Sequence, residues 1–411
     1  MFHGATLAVK GRLSQFFNTV PGQTFLALSF NIISLFAGGL MAVFTPEFKA
    51  SPWILALFPP VLTVRGGIGG IFSGNLATML HLGLVKPQLR ENTENYYSLV
   101  KSVMVITVFD AIILGVVSFF LNFISGNTSF QNWFIFILVP AVACVLAVSV
   151  SIPLTSYIAI VTYNRGLDPD ILVYPILASL NDIIVTLFFV GTVLLVLYQG
   201  IWVRILVLIF ILIIGGSIYL IRSSWVDRFF QQTLREGTFI VIVSSLFGSV
   251  NGLLLSRLGN ILARHPGLMA MYPALTNSLG NIGSIIGSKT TTGMALGVTK
   301  SAIEDIEGTL RGIMEVEVPA AFMHVIFAIT GYFITGPGTH GISLAFLLLT
   351  ALGTNLLSFL FIAVFAIFSA NLAYKRGLNP DNIVIPAITT LSDTTATVCL
   401  SPAVMLAILI L

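Results

Sequence analysis

Residues 374–397 read YKRGLNPDNIVIPAITTLSDTTAT, and residues 163–186 read YNRGLDPDILVYPILASLNDIIVT. The two stretches align without a gap and share 11 of 24 positions, among them Gly166/Gly377, Pro169/Pro380, Pro175/Pro386 and Asp182/Asp393. Each places an aspartate seven residues after a proline, inside an otherwise apolar segment. Seven residues make about two helical turns, so proline and aspartate share one face. A duplicated unit with a carboxylate buried in each copy follows from this pattern.

The rest of the chain says where such a unit resides. Mean hydropathy is +1.01, 56% of the residues are hydrophobic and only 9% are charged. Several apolar runs are long enough for a transmembrane helix, which needs roughly 18 residues or more. No basic patch interleaved with aromatics suggests nucleic acid, and none is expected as a partner. Cys144 and Cys399 both fall in apolar runs, against a disulfide framework or a thiolate metal site. Lys10 and Arg12 precede an apolar run from about Thr24 to Phe44, longer than a signal-peptide core, which reads as a retained helix. No nucleophile–base constellation, phosphate loop or metalloprotease motif is present, so the chain reads as a non-enzyme without a cofactor.

Eleven spans are expected, at about 22–44, 53–82, 98–122, 132–163, 170–198, 202–221, 238–256, 268–298, 313–335, 341–373 and 381–409. Spans 2, 4, 8 and 10 are long and are expected to tilt or break. The duplication extends to span 2: residues 58–84 align without a gap to 272–298, sharing Pro59/Pro273, Gly66/Gly280, Gly69/Gly283 and Thr78/Thr292. The fold class is therefore all-α polytopic membrane protein, with two parallel five-helix repeats (1–200 and 223–411) joined by an extra helix over 201–222. An odd number of spans per repeat explains the extra helix, because it returns the chain to its starting side. Charge agrees. With the N-terminus inside, 13 of the 19 Lys and Arg residues are cytoplasmic, including Lys10, Arg12, Lys300 and Arg376. Lys49, Arg204, Arg257 and Arg264 lie outside, and Arg65 and Lys289 lie within spans. A multi-pass cell-membrane protein with a cytoplasmic N-terminus and an extracytoplasmic C-terminus is expected, with a pseudo-two-fold axis along the membrane normal.

Asp182 and Asp393 each stand 12 residues past the start of their span, about 18 Å along the helix and near the middle of a core about 30 Å thick. An ionised carboxylate there costs at least about 2.5–3.5 kcal/mol and should face the protein interior. If their helices line the pseudo-two-fold axis, two such carboxylates disfavour each other's ionisation unless a cation offsets them; the bland alternative is a bond from each to a neighbouring helix. Asn181, Ser179, Ser392, Thr390, Thr394 and Thr395 make these segments polar, and oxygen-rich surroundings suit hard cations such as Mg²⁺ or Ca²⁺. Gly66, Gly69, Gly280, Gly283 and Gly287 recur at three- and four-residue spacing, a close-packing pattern that also exposes carbonyls where helices break. Asn75, Asn281, Arg65 and Lys289 are the polar residues beside them. Arg65 and Lys289 occupy different repeat positions, and either tethers a carboxylate or snorkels. Asp110 has Ala320 opposite it, hence no twin; a basic partner is one option for it, and a transport role is not assigned to it. Glu315 and Glu317, with Glu304, Asp305 and Glu307, form an acidic stretch at the start of span 9, read first as a solvated loop with helix-start carboxylates and second as a cytoplasmic cation-sensing or entry site; His81, His324 and His340 are scattered.

At these residues the chain resembles the membrane domain of MgtE-type magnesium channels and their tandem-repeat solute-carrier relatives. The match rests on P-x-L-x-x-x-x-G-N-x-G at Pro273–Gly283 and P-x-x-x-x-L-x-D at Pro386–Asp393; the first-half copies match more loosely, with Gly67 in place of Asn281. The resemblance implies a Mg²⁺ pathway between two five-helix units, selected by Asp182 and Asp393. Carbonyls one turn earlier, at Ala178 and Thr389, join the metal set with Asn181 and Ser392. Gly66, Asn75, Gly280, Asn281, Gly283 and Lys289 are the pathway-lining candidates. One chain supplies both units, so a monomer suffices. Little sequence precedes span 1, so gating by the family's cytoplasmic sensing domains is not carried over. The expected function is a divalent cation channel or transporter, Mg²⁺ foremost. An Na⁺- or H⁺-coupled exchanger is the alternative, and a non-transporting scaffold comes third.

Overall fold

The computed structural model describes residues 19–44, 51–165, 169–295, 306–336, 343–375 and 380–411. Lys10, Arg12, Lys49, Lys300, Glu304, Asp305, His340 and Arg376 lie outside them. Every regular element among the described residues is helical. In chain order these are α1 (Val20–Ser29), α2 (Ser34–Val43), α3 (Trp53–His81), α4 (Glu94–Ile124), α5 (Trp133–Asn164), α6 (Pro169–Tyr198) and α7 (Ile201–Ser224). Then follow α8 (Arg228–Arg257), α9 (Gly259–Arg264), α10 (Pro266–Ala295), α11 (Ile306–Ile334), α12 (Leu344–Lys375) and α13 (Pro380–Ile410). Nine stretches among the described residues are long and apolar enough to cross a membrane, with α1 and α2 together forming one of them. The chain is an all-α polytopic membrane protein. Of the eleven expected spans, the two outside that count are α8 and α10, each 30 residues long. They carry more polar side chains, several of them buried, such as Ser245, Ser249 and Asn251 on α8 and Ser278 on α10.

Of the two outcomes expected for the long spans, tilting or breaking, breaking does not occur in them. Spans 2, 4, 8 and 10 are continuous helices of 29, 32, 30 and 32 residues, although Pro59, Pro60, Pro140, Pro153 and Pro273 lie inside three of them. A neighbouring helix can cover a carbonyl that a proline leaves unserved. Pro60 cannot donate to Ala56, and Gly252 of α8 brings its Cα against the Ala56 carbonyl oxygen. Span 1 is the interrupted one, with a 3-10 turn at Phe30–Ile32 between α1 and α2. Asn31 and Ser34 at this turn are fully buried and are met by Asn281 (Nδ2 to Oδ1, 3.3 Å) and Asn277 (Nδ2 to Oγ, 3.0 Å). Such side chains compete with the helical backbone for bonds, which loosens a helix where they cluster.

The chain packs as two compact units, one of residues 1–35 with 274–411 and one of residues 36–273. In the second, α8 lies along α3 and α4. Gly248 and Gly252, four residues apart, let it approach Pro60, Thr63 and the Ala56 carbonyl. Ser118 Oγ donates to Ser249 Oγ at 2.8 Å, and Ser245 donates to Asp110. In the first unit α1 packs on α11, with Phe25 and Phe322 6.0 Å apart. Helix α7 has only 6% of its apolar stretch buried and reaches α4, α5 and α6 along one edge. That exposure suits a helix facing lipid.

Candidate cation site

The repeat positions reappear as matched helices. In the register that aligns Asp182 with Asp393, Trp133 and Asn164, the ends of α5, fall on Leu344 and Lys375, the ends of α12. Pro169 and Pro380, which open α6 and α13, match in the same register. Asp182 therefore occupies in α6 the place that Asp393 occupies in α13. Each is described within its own unit.

In the first repeat, Asp182 is 1% exposed and pairs with Arg65 of α3, Nη2 to Oδ1 at 2.8 Å. Arg65 Nη1 also donates to the Ala178 carbonyl at 2.8 Å. That carbonyl lies one turn before Asp182, and a carbonyl has a second lone pair beyond its helical bond. Asn181 Oδ1 accepts from Ser151 Oγ at 2.7 Å. Arg65, Gly69, Ser151, Thr155 and Asn181 form the polar side of a cavity otherwise lined by Val64, Ile68, Phe72, Val103, Cys144 and neighbouring aliphatic residues. Gly66 faces open space, and Asn75 Nδ2 turns back to its own helix at Ile71 O (2.7 Å).

In the second repeat, Asp393 is half-buried and Ser392 is buried, while Thr389 is half-buried. The glycines here are filled by neighbours. Gly280 lies against Thr389, and Gly283 leaves room for no Cβ beside Ile388 and Ile362. Asn281 is 8% exposed and holds Asn31. Lys289 is exposed at the end of α10 and pairs with Glu315 at 3.3 Å, while Arg311 approaches the same carboxylate at 3.7 Å. The two spare cations in the spans each tether a carboxylate: Arg65 a deep one, Lys289 a superficial one.

Asp110, for which the sequence offers a basic partner as one option, is fully buried and accepts from Ser245; the approach of α8 supplies a hydroxyl at that place. Glu315 and Glu317, read together as one acidic stretch, part company. Residues two apart point about 200° away from each other around a helix. Glu317 is 6% exposed and accepts from Asn355 Nδ2 at 2.6 Å, while Glu315 faces Lys289. His324 is fully buried beside the Ala320 carbonyl, and His81 stacks edgewise on Tyr163. Among the described residues no three His, Cys, Asp or Glu side chains gather to hold a metal ion. Each repeat places one mid-span carboxylate among carbonyls and hydroxyls, and in the first repeat Arg65 engages both the carboxylate and the carbonyl one turn before it.

The chain is similar to proteins already known. MgtE, a divalent cation transporter family, matches residues 58–192 and 272–402, one segment in each repeat. Solute carrier family 41 member 3 of Mus musculus is 22% identical over 415 aligned positions, covering 91% of this chain and 81% of that protein. No solved structure matches the chain.

Proposed function

We propose that this chain, which belongs to the MgtE family of divalent cation transporters, carries Mg²⁺ across the membrane along a path selected by the mid-span aspartates of its two repeats. The observation that supports this is the repeat itself: an aspartate at the same place in α6 and α13, inside apolar helices where an ionised carboxylate is costly. Asp182 and Asp393 set the charge of the path. The Ala178 and Thr389 carbonyls, with Asn181 and Ser392, supply the neutral oxygens. Gly66, Asn75, Gly280, Asn281, Gly283 and Lys289 stand on the helices beside them. The same oxygen set would serve a monovalent cation in an exchanger, and the transport assay separates the two readings. On this reading the duplicated units span 1–200 and 223–411, a single chain suffices, and the N-terminus is cytoplasmic in the cell membrane.

The test is cation flux into liposomes holding the purified protein, with Mg²⁺, Mn²⁺, Ca²⁺ and Co²⁺ offered separately. Flux of Mg²⁺ is expected to fall in both Asp393→Asn and Asp182→Asn. Normal flux in both variants sinks the proposal. Flux that disappears when an Na⁺ or H⁺ gradient is collapsed at fixed voltage turns it into coupled exchange. A reporter at the C-terminus found in the cytoplasm overturns the orientation.

A further inference from the structure

Two helices of the second repeat bury polar groups along their contact. Glu317 and His324 stand seven residues apart on α11, about two turns, and so share one face. Thr350, Asn355 and Ser358 lie on one side of α12, which packs on α11. All five are buried. Asn355 Nδ2 donates to Glu317 Oε1 at 2.6 Å, and that bond joins the two helices. Beyond it, Glu317 Oε2, His324 Nε2, Thr350 Oγ1, Asn355 Oδ1 and Ser358 Oγ each lack a hydrogen-bonding partner among the described residues. Side chains that serve only to join helices spend such atoms on one another.

The first repeat does without them. In the registers that align Asp110 with Ala320 and Asp182 with Asp393, the same five positions hold Thr107, Leu114, Val139, Cys144 and Ala147. All are buried, and Thr107 spends its hydroxyl on the Val103 carbonyl of its own helix at 2.7 Å. The fold therefore does not require a polar seam here. The chemistry of the seam points to its ligand. His324 Nδ1 lies 2.8 Å from the Ala320 carbonyl, which can only accept, so Nδ1 carries the hydrogen and Nε2 presents a lone pair. A carboxyl and an imidazole with hydroxyls beside them are the groups from which proton relays inside membranes are made. Of the helices packed on α11, α1 brings no titratable residue, and α12 brings Tyr374 and Lys375 at its last turn. The cations at the start of α11 and the end of α10, Arg311 and Lys289, are taken up by Glu315.

We propose that the seam between α11 and α12 is a proton site, in which Glu317 and His324 take up and release the proton and the Thr350 and Ser358 hydroxyls, with the Asn355 amide, hand it along. A proton from water binds the Glu317 carboxylate and passes to the His324 Nε2 lone pair. It leaves by the reverse steps, so nothing else is consumed. The proton then serves as the counter-ion for Mg²⁺, on residues other than those of the Mg²⁺ path. This coupling rests on the Mg²⁺ reading above and deepens it. With the Arg311 and Lys289 charges spent on Glu315, the counter-charge of Glu317 is a mobile one.

The test uses liposomes holding the purified full chain, with entrapped dyes for Mg²⁺ and for pH and with the voltage fixed by K⁺ and valinomycin. An inward Mg²⁺ gradient is expected to turn the interior of wild-type vesicles alkaline as protons leave in exchange. Glu317→Gln and His324→Asn should each cut that pH change about a hundredfold. Thr350→Val combined with Ser358→Ala installs the aliphatic character of the first repeat. It should slow proton movement several-fold without lowering the melting temperature, because the hydroxyls removed have no protein bond to lose. If the single variants do not fold, this double variant decides: slowed proton movement at wild-type stability supports the proposal, and wild-type proton movement overturns it. Folded Glu317→Gln protein that still moves protons as wild type does also overturns it. Mg²⁺ entry into wild-type vesicles at unchanged internal pH overturns this proposal and leaves the Mg²⁺ reading standing, whereas no Mg²⁺ entry overturns both.

Discussion

Around Asp182 the first repeat is polar and partly hollow, whereas the helix turn before Asp393 in the second is closed by aliphatic side chains. Gly69 would meet only the Asn181 amide at 3.7 Å if it gained a Cβ; its counterpart Gly283 is already pressed by Ile388 and Ile362. Ser151 and Arg65 on one side correspond to Ile362 and Leu279 on the other. One ancestral helix pair has thus been finished in two ways. Where an arginine was admitted, small and polar neighbours leave space for it; where none was admitted, methyl groups fill the space. The lesson is that a duplicated carboxylate does not imply a duplicated site. What surrounds each copy differs in shape and polarity.

Transplanting the arginine should break this difference most severely. Leu279→Arg with Ile362→Ser gives the second repeat the two residues that accompany the ion pair in the first. On the transport reading above, a guanidinium introduced at this place in the second repeat would compete with the ion for Asp393. Mg²⁺ flux in liposomes is expected to fall about a hundredfold, the equivalent of about 2.7 kcal/mol. Melting of the same protein shows whether it is folded. A folded double variant with wild-type flux would mean that the arginine is not what distinguishes the repeats.

The glycines give a smaller and purely structural contrast. Gly283→Ala should destabilise by about 1–3 kcal/mol, because its Cβ overlaps Ile388 and Ile362 in a filled core. Gly69→Ala meets nothing closer than 3.7 Å and removes a flexible residue from a helix, so a gain of up to about 1 kcal/mol is expected. Melting temperatures of the two variants should therefore move in opposite directions. A shared direction would show that the space around Gly69 is illusory.

Much of this is legible in the residues, because helix length and repeat register are local properties. The gapless register that pairs Asp182 with Asp393 in the sequence also pairs α5 with α12 and the start of α6 with that of α13. The pairing of Arg65 with Asp182 is not legible. The partners are far apart in sequence, and an arginine in a span has several places to reach. Burial of Glu317 does have a local signal, since two residues of separation cannot keep Glu315 and Glu317 on one helix face. The packing of α8 on α3 and α4 has a weaker one in Gly248 and Gly252, a close-approach spacing whose partner helix no local pattern names. The break in span 1 escapes a hydropathy reading because Asn31 and Ser34 sit among apolar residues that satisfy any averaging window.

The first helices of the two repeats differ in a last, mild way. Thr19 caps α1 with a neutral hydroxyl that accepts from the Gly22 amide at 3.3 Å, whereas Asp227 caps α8 with a carboxylate that accepts from the Phe229 amide at 2.9 Å. Burial raises the Asp227 carboxyl, but the Ser98 hydroxyl, the Phe229 and Phe230 amides and Lys101 outweigh it and hold the group below its ordinary value. A carboxyl depressed in the folded state contributes stability that is fully present above the unfolded value, about 3.9, and is lost as pH falls through the folded value. Asp227 lies near the surface, so the contribution is small. Between pH 6 and pH 3 the wild-type protein should lose about 1–2 °C more of its melting temperature than Asp227→Asn does. Thr19→Ala, by contrast, should lower melting by the same amount at both pH values, since a hydroxyl cap carries no titrating charge. Equal pH dependence in wild type and Asp227→Asn would place the acid sensitivity of this protein outside the α8 cap.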